Sequence, residues 1–381
     1  MRIAIMMRAM DQDSGFRGYV EGLVESMLQI DEESTYLLFY RKTKWLGRFS
    51  SYKNAKEILI NAPHKFLWDQ VAVPYRAWKE KADVIFDPKF SVPLISHCPV
   101  AMGLQEPAWW THPDHYEWFD AHYMRTMLPL YCRKSSHLFP MSNFILEENR
   151  KVLGMALENA TVTYTAPGKH FVPIRDPAVL AEFREKYKLP ENFILGVTRV
   201  LHPGLDRSDS FHSTKNPETT LRAFLLCRGA IKQKLVLAGR RVPDYLLYKG
   251  FKSSDFEGVT FIDFVPYEEL PKLYNTADLF VTPALYDGCP ANVMEAMACG
   301  IPVIASNIGG AEDVGRGSAI LADPHNPADY AEKIKMVLNN ENLRKEMVDK
   351  GFQRAESFKW ETTARLTLEG LKRATQAGRT T

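Results

Sequence analysis

Short apolar runs alternate along most of the chain with longer segments whose apolar residues recur at helical spacing. Apolar runs rich in β-branched residues predict strands, and the periodic segments between them predict helices. The alternation predicts an α/β protein with parallel sheets covered by helices on both faces. The predicted strands are 2–7, 35–40, 57–61, 83–87, 99–104, 136–141, 161–166, 193–198, 234–238, 259–263, 278–283, 301–306 and 318–322. The predicted helices include 16–29, 115–134, 217–229, 292–299 and 326–339.

The strands fall into two series, which predict two sheets and therefore two domains. The natural division is TAPGKHFVPIRDP (165–177), which is rich in Pro and Gly and has no periodicity. We expect an N-terminal Rossmann-like domain over 1–170 and a second over 175–355. The remaining residues, 356–381, predict a helix that packs across the domain boundary. Because ligands of open α/β sheets bind at the carboxyl ends of the strands, we expect the domains to face each other across a cleft.

Composition narrows the class of protein. The 381 residues carry 48 Lys and Arg against 46 Asp and Glu, which argues against a nucleic-acid binder held by phosphate neutralisation. The start of the chain has neither the apolar core nor the cleavage site of a signal peptide, so we expect a cytoplasmic protein. Five cysteines without a CxxC pair indicate free thiols in a reducing compartment.

The segment 278–306 is the most informative part of the chain. A predicted strand ends near Pro283, a small-residue loop carries Asp287 and Gly288, and a helix begins near Asn292 with Glu295 in its first turn. The amides at a helix N-terminus favour phosphate, whereas carboxylates favour sugar and ribose hydroxyls. The combination predicts a nucleotide-sugar site. The alternative is an acidic first turn that only stabilises the helix dipole.

The stretch DGCPANVMEAMACGIPVIASNIGGAEDV (287–314) resembles the carboxylate-x7-carboxylate region of the retaining family 4 group of GT-B glycosyltransferases. ILGVTRV, STKNPETTLRAF and KLVLAG, which precede it in that order, are also similar to this group. The resemblance is specific over about 193–325 and weaker, though colinear, over the N-terminal half. It implies the GT-B architecture of two Rossmann-like domains.

The resemblance also implies roles for individual residues. Arg199 and Lys215 would bind the donor diphosphate and stabilise the charge that grows as the glycosidic bond breaks. Glu295 would hold the ribose, and Asp287 would orient the transferred sugar. The loop and helix start would contribute the remaining donor contacts. These contacts are Gly288, Cys289, Ala291, Asn292 and Val293.

Three features depart from the pattern of the group. The first carboxylate is Asp287 rather than the more usual Glu, so it has a shorter reach. Pro290 has no N–H to donate. The insertion LHPGLDRSDSFHST (201–214) separates Arg199 from Lys215, and Arg207 within it competes with Lys215 for the role of second cation.

Two N-terminal loops also resemble the family. DSGFRGYVEGL (13–23) aligns with the loop under the diphosphate, where Gly15 would allow close backbone approach; an ordinary strand-to-helix turn is the alternative. GLQEPAWW (103–110) places Gln105 where the group often has His. Gln105 can bond a sugar hydroxyl but cannot accept a proton near pH 7, and Glu106 is a candidate acceptor contact or a solvated carboxylate.

The donor base is expected near Val265. GDP-sugar members of the group tend to carry an acidic residue just after this point. Here that residue is Tyr267, although Glu268 follows it. Tyr267 in place of an acidic residue favours UDP, and UDP-glucose is the first candidate donor. Asp11-Gln12-Asp13 could be read as the metal motif of GT-A enzymes, but it lies in the wrong place for that fold. We expect no metal and no cofactor.

The acceptor side is less determined. Residues 39–56 carry six basic and no acidic side chains with aromatics between them, which suggests peripheral contact with an anionic membrane; a solvated surface is the alternative. An aromatic cluster could be an acceptor platform or core. It comprises Trp109, Trp110, Tyr116, Trp118 and Phe119.

Together these features predict a retaining hexosyltransferase acting on a saccharide or lipid-linked acceptor in polysaccharide or glycoconjugate biosynthesis. Two alternatives stay open. One is a nucleotide-sugar epimerase or hydrolase on the same fold. The other is a non-catalytic nucleotide-sugar-binding subunit, which the departures at Gln105, Asp287 and Pro290 keep in play.

Overall fold

The computed structural model describes residues 1–11, 15–113, 116–201 and 212–377. They form two compact units. The described residues of 1–113, 118–166 and 359–377 make up the first unit, and those of 114–117 and 167–358 the second. The chain thus passes to the second unit within the Pro- and Gly-rich segment 165–177 and returns to the first at Lys359.

Strands β1–β6 form the first sheet and β7–β12 the second. Their bounds are β1 Arg2–Met6, β2 Thr35–Tyr40, β3 Ala55–Leu59, β4 Val84–Asp87, β5 Val100–Leu104, β6 His137–Pro140, β7 Phe193–Val197, β8 Lys234–Ala238, β9 Val259–Ile262, β10 Leu279–Thr282, β11 Val303–Ser306 and β12 Ile320–Ala322. The α-helices are α1 Gly15–Ile30, α2 Lys65–Leu67, α3 Val73–Lys79, α4 Ala108–Thr111, α5 Trp118–Lys134, α6 Asn143–Leu153, α7 Pro177–Tyr187, α8 Pro217–Cys227, α9 Val242–Tyr248, α10 Leu270–Thr276, α11 Ala291–Ala298, α12 Gly310–Gly315, α13 Pro327–Leu338, α14 Glu341–Glu356 and α15 Trp360–Ala377.

The first sheet has the order β3-β2-β1-β4-β5-β6, and its neighbouring strands pair in parallel. The central strands are buried along nearly their whole length, as expected for a parallel sheet covered on both faces. Helix α15 packs on α1, where a Cβ added to Gly22 would lie 2.6 Å from the Trp360 ring. The C-terminal helix therefore completes the core of the first unit.

The second sheet has the order β12-β11-β10-β7-β8-β9 and is also parallel throughout. Its helices begin at strong local signals. Asn216 caps α8 by accepting a hydrogen bond from the Thr219 N–H at 3.2 Å, and Pro217 follows as the first helical residue. The same arrangement of Asn and Pro starts α13 at Asn326. These caps fix where each helix leaves the carboxyl edge of the sheet.

The structure differs from the predicted elements in one strand. Residues 161–166 form no ladder, because only the N–H groups of Thr161 and Thr163 donate to β6, to the carbonyls of Leu138 and Pro140. The segment is therefore an extended connection beside the edge strand.

Among the described residues, no helix combines the length and hydropathy needed to cross a bilayer.

Candidate functional site

The carboxyl edge of the second sheet gathers the residues predicted to bind a nucleotide sugar. Arg199 follows β7 at the centre of the sheet, and the loop containing Asp287 follows the neighbouring strand β10. Val265 follows β9 at the far side. Because all strands run in parallel, these loops leave the same edge, which is where ligands of such sheets bind.

The loop 287–290 leads directly into α11. The Asp287 carboxylate accepts a hydrogen bond from the Cys289 N–H at 3.3 Å, and the Asp287 carbonyl accepts one from the Gly310 N–H at 2.9 Å. A Cβ on Gly310 would lie 2.2 Å from the Gly288 carbonyl oxygen. Only glycine therefore lets α12 approach this loop so closely, and the approach holds the loop in one position.

Helix α11 begins at Ala291, immediately after Pro290, and its first turn carries no acidic side chain. The Val293 N–H donates to the Pro290 carbonyl at 3.1 Å. The expectation that Glu295 lies in the first turn was wrong, because the helix starts one residue earlier than predicted and Glu295 is its fifth residue. The first turn of α11 is thus without a carboxylate that would repel phosphate.

Lys215 lies between β7 and the start of α8. The Ser213 hydroxyl donates to the Arg199 carbonyl at 2.6 Å and accepts from the Lys215 N–H at 3.2 Å, so it joins the two predicted cationic residues through their backbones. The Lys215 ammonium forms an ion pair with the Asp287 carboxylate. The Arg199 side chain, in contrast, is exposed. Arg207 lies outside the described residues.

Glu295 is buried, with 7% of its surface exposed. Burial raises the pKa of its carboxyl from 4.5 to about 7, while the hydrogen bond from the Tyr274 hydroxyl at 3.2 Å and the charge of Lys215 act in the opposite direction. A carboxylate held at this cost in an apolar setting is typical of a functional site. The alternative of an acidic first turn that only stabilises the helix dipole does not fit, because Glu295 is buried and lies beyond the first turn.

The predicted base region forms the next part of the edge. Val265 is 9% exposed, whereas the neighbouring Phe264 ring is 56% exposed and has the Arg240 guanidinium 4.9 Å from its centre. Tyr267 packs against His170 and Phe171, with ring centres 5.0 and 5.4 Å apart. The region therefore offers an exposed ring and backbone groups at the ends of β8 and β9.

In the first unit, Gly15 opens α1 after β1, and a Cβ at this position would meet no described atom within 4 Å. Gln12 and Asp13 lie outside the described residues. Gln105 follows β5 and is 5% exposed; its Nε2 atom is buried without a hydrogen-bond partner among the described residues. Glu106 beside it is half-buried.

The structure divides the predicted aromatic cluster. Trp109 is core, with its ring edge-to-face on Phe90 at 4.9 Å. Trp118 and Phe119 are exposed by 75% and 69%, whereas Trp110 and Tyr116 are half-buried. Neither the core nor the platform interpretation holds for the whole cluster.

The segment 39–56 divides in a similar way. Its rings at Phe39, Tyr40 and Phe49 are buried, which removes them from any membrane contact, whereas the basic residues Lys42 and Lys44 are exposed. Within the described ranges, no three His, Cys, Asp or Glu side chains lie close enough together to hold a metal ion.

Three residues of this site were missed by sequence reasoning. Tyr274 bonds to Glu295, 21 residues away, and Ser213 bonds to Arg199, 14 residues away, and no local pattern signals these two contacts. Gly310 carried a signal, because a Gly-Gly pair after a predicted strand is typical of a close backbone approach.

The chain is similar in sequence and fold to known glycosyltransferases. Residues 208–354 match the family model "Glycosyl transferases group 1". The chain is 24% identical over 336 residues to the O-antigen chain mannosyltransferase B of Escherichia coli, which covers 86% of this chain and 83% of the relative. It is 26% identical over 256 residues to the E. coli serotype-specific mannosyltransferase WbdA, a longer protein of which it matches 30%. These relatives support a role in glycosyl transfer.

Solved structures share the fold over the whole chain. Sucrose-phosphate synthase of Thermosynechococcus elongatus aligns with a TM-score of 0.74 and 18% identity over 99% of both chains. HepE of Anabaena, solved in complex with UDP and glucose, aligns with a TM-score of 0.69 and 17% identity over 98% of this chain and 99% of that one. The predicted α/β class with two parallel sheets is confirmed. On this fold, residues 208–354 carry the sequence pattern of the glycosyl transferases group 1 family.

Proposed function

We propose that this chain is a retaining, family 4 glycosyltransferase that moves a hexose from a nucleoside diphosphate to a saccharide or lipid-linked acceptor. The observation that carries the proposal is the convergence of Lys215, Asp287, Glu295 and the α11 N-terminus at the carboxyl edge of the second sheet. A cation and helix amides suit a diphosphate, and the two carboxylates suit hydroxyl groups.

In this mechanism the diphosphate is the leaving group. Lys215, Arg199 and the first amides of α11 stabilise the negative charge that develops on it. Glu295 accepts hydrogen bonds from the ribose hydroxyls, and Asp287 with its loop orients the sugar. The acceptor attacks on the face from which the diphosphate departs, and a donor phosphate oxygen takes the acceptor proton. This route needs no protein base at Gln105 and no metal ion.

The acceptor side of the proposal rests on the first unit. The buried amide of Gln105 can donate to an acceptor hydroxyl, and Glu106 can accept from one. The exposed basic side chains of 39–56, among them Lys42 and Lys44, would supply peripheral contact with anionic lipid if the acceptor is lipid-linked.

Retained activity in EDTA is the expected result for the metal-free route.

UDP-glucose is the first donor we propose, and the HepE complex with UDP and glucose supports it by analogy of fold. A mannose donor is the second candidate, because the E. coli relatives are named mannosyltransferases. Thermal-shift titration decides the base: UDP should raise the melting temperature more than GDP at equal concentration. A larger shift with GDP would reverse the assignment.

Turnover provides the test of activity. UDP-glucose and GDP-mannose are incubated with a panel of saccharide and lipid-linked acceptors, and product configuration is read by NMR. Lys215→Ala and Glu295→Ala should each lower turnover roughly ten- to a hundredfold, since each loses a charge-assisted contact. Sugar isomerisation or free sugar without acceptor would favour the epimerase or hydrolase, and nucleotide binding without turnover would favour a binding subunit.

A further inference from the structure

The ion pair between Lys215 and Asp287 joins a predicted diphosphate ligand to a predicted sugar ligand. Both side chains are largely removed from solvent, with 24% of the Lys215 side chain and 12% of the Asp287 side chain exposed. The second carboxylate oxygen of Asp287 accepts from the Cys289 N–H at 3.3 Å. Both oxygens of Asp287 are thus engaged inside the protein, and the Lys215 charge is already partly neutralised.

The backbones on both sides of this pair are fixed. The Leu285 N–H donates to the Thr214 carbonyl at 2.8 Å, which ties the loop before Asp287 to the residue before Lys215. Gly310 holds the Asp287 carbonyl from the other side. The short Asp side chain has little freedom on this backbone, whereas Lys215 has a flexible four-carbon stem. A change of partner therefore falls to the ammonium group.

We propose that Lys215 and Asp287 form an exchangeable ion pair: the donor diphosphate takes the Lys215 ammonium, and the released Asp287 carboxylate accepts a hydroxyl of the donor sugar. This inference rests on the proposed function and adds an order to it. Asp287 positions Lys215 while the site is empty and contacts the sugar only after the diphosphate is bound. No covalent bond changes in the exchange.

The exchange has a consequence for the affinity of the product. A nucleoside diphosphate without its sugar must displace the Asp287 carboxylate from Lys215 and gains no hydroxyl contact in return. The intact donor recovers that contact. Asp287 thereby weakens binding of the leaving group relative to the donor, which favours product release after transfer.

The test uses UDP and GDP as probes, each titrated calorimetrically into the full chain and its variants. Asp287→Asn keeps the shape of the side chain and an acceptor for the Cys289 N–H but removes the charge. We expect it to bind the nucleoside diphosphate about three- to tenfold more tightly while kcat for sugar transfer falls. Asp287→Glu restores the charge and should return the affinity toward that of the unchanged chain.

Glu257→Gln is the matched control. It makes the same change in net charge at an 84% exposed side chain near the amino end of β9, away from the carboxyl edge. It should leave both affinity and kcat unchanged. A merely structural role of Asp287 predicts weaker binding after Asp287→Asn, which is the opposite sign and would overturn the exchange.

A double-mutant cycle separates exchange from simple charge repulsion. In a Lys215→Gln background, Asp287→Asn should no longer tighten binding, because the group it frees is gone. Persistent tightening in that background means that Asp287 repels the diphosphate directly, which overturns the exchange but leaves the proposed function intact. Failure of the unchanged chain to bind either UDP or GDP overturns the proposed function itself, and the exchange with it.

Discussion

Glu295 shows how a single buried group links stability to function. Burial raises the pKa of its carboxyl to about 7, well above its ordinary value of 4.5. Between these two pH values the folded chain keeps a proton that the unfolded chain releases. The contribution of Glu295 to stability is therefore greatest below pH 4.5, falls as pH rises through 7 and is fully lost above that.

Glu295→Gln should accordingly stabilise the ligand-free chain at pH 8, because the amide can still accept from the Tyr274 hydroxyl without a buried charge. The gain should be on the order of a few kcal/mol at most and should disappear near pH 5, where the wild-type carboxyl is neutral. Thermal melts at both pH values measure it, with Glu257→Gln as control. Equal melting temperatures at pH 8 would contradict the burial argument.

The same variant should bind UDP or GDP more weakly, because a neutral amide is a poorer acceptor for two ribose hydroxyls than a carboxylate. Stability and binding then change in opposite directions at pH 8. A variant that loses both has been damaged in its packing instead.

The grouping of site residues that lie close together in sequence could be predicted. Contacts between site residues far apart in sequence could not. The spacing from Asp287 to Glu295 indicated two carboxylates at one loop and helix. The contact of Asp287 with Lys215 joins positions 72 residues apart, and only the order of the strands brings them together. The hydrogen bond to Glu295 likewise comes from Tyr274, which belongs to another helix.

Among the elements, buried parallel strands were the most predictable, because a short apolar run bounded by turn residues is typical of a strand that is buried on both faces. The segment 161–166 failed because it has the composition of a strand but donates only two backbone hydrogen bonds to β6. The sequence pattern shows which residues of a segment can be buried. It does not show whether a neighbouring strand lies close enough to form a hydrogen-bonded ladder with the segment.

The contact between α12 and the loop at Asp287 gives a prediction for one element. Gly310→Ala places a methyl group 2.2 Å from the Gly288 carbonyl oxygen and 2.8 Å from that of Asp287, so the loop must move. Nucleotide binding should weaken by roughly tenfold or more, while the far-UV circular dichroism stays unchanged. Gly229→Ala is the control, since a Cβ there meets no described atom within 4 Å; equal binding by the two variants would contradict the prediction.

Helix α15 gives a second prediction at this scale. A Cβ on Gly370 would lie 2.4 Å from the Phe139 ring and 2.7 Å from the His137 ring, both in the buried strand β6. Gly370→Ala should destabilise the first unit by about 1–3 kcal/mol through overpacking, although alanine is the better helix former. Chemical denaturation measures the change, and a gain in stability would mean that helix propensity outweighs packing here.

At the scale of the molecule, the two series of strands could be predicted from the sequence. The return of the chain to the first unit could be predicted only in part. The pattern predicted a C-terminal helix, but nothing local indicates that its apolar face, with Trp360, Leu368 and Leu371, is buried with the core of the first unit. That placement depends on the surface that α1 and β6 leave uncovered.

This chain path predicts that the two units behave differently when separated. The second unit is nearly continuous over 167–358 and has its own six-stranded sheet and hydrophobic core, so the fragment 167–358 should fold by itself. The residues of the second unit that are proposed to bind the diphosphate and the ribose all lie within this fragment. We expect UDP or GDP to bind this fragment within about tenfold of the affinity of the full chain, without sugar transfer.

The first unit should not survive the matching cut. A fragment of 1–166 lacks α15, which exposes the partners of that helix on α1 and β6, among them Gly22 and Phe139. We expect this fragment to be aggregated or unfolded by circular dichroism, and to regain a cooperative melt when 359–381 is fused after residue 166 through a flexible linker, because the linker restores the missing face of the core. A cooperative melt of 1–166 alone would show that α15 is dispensable and that the core closes without it.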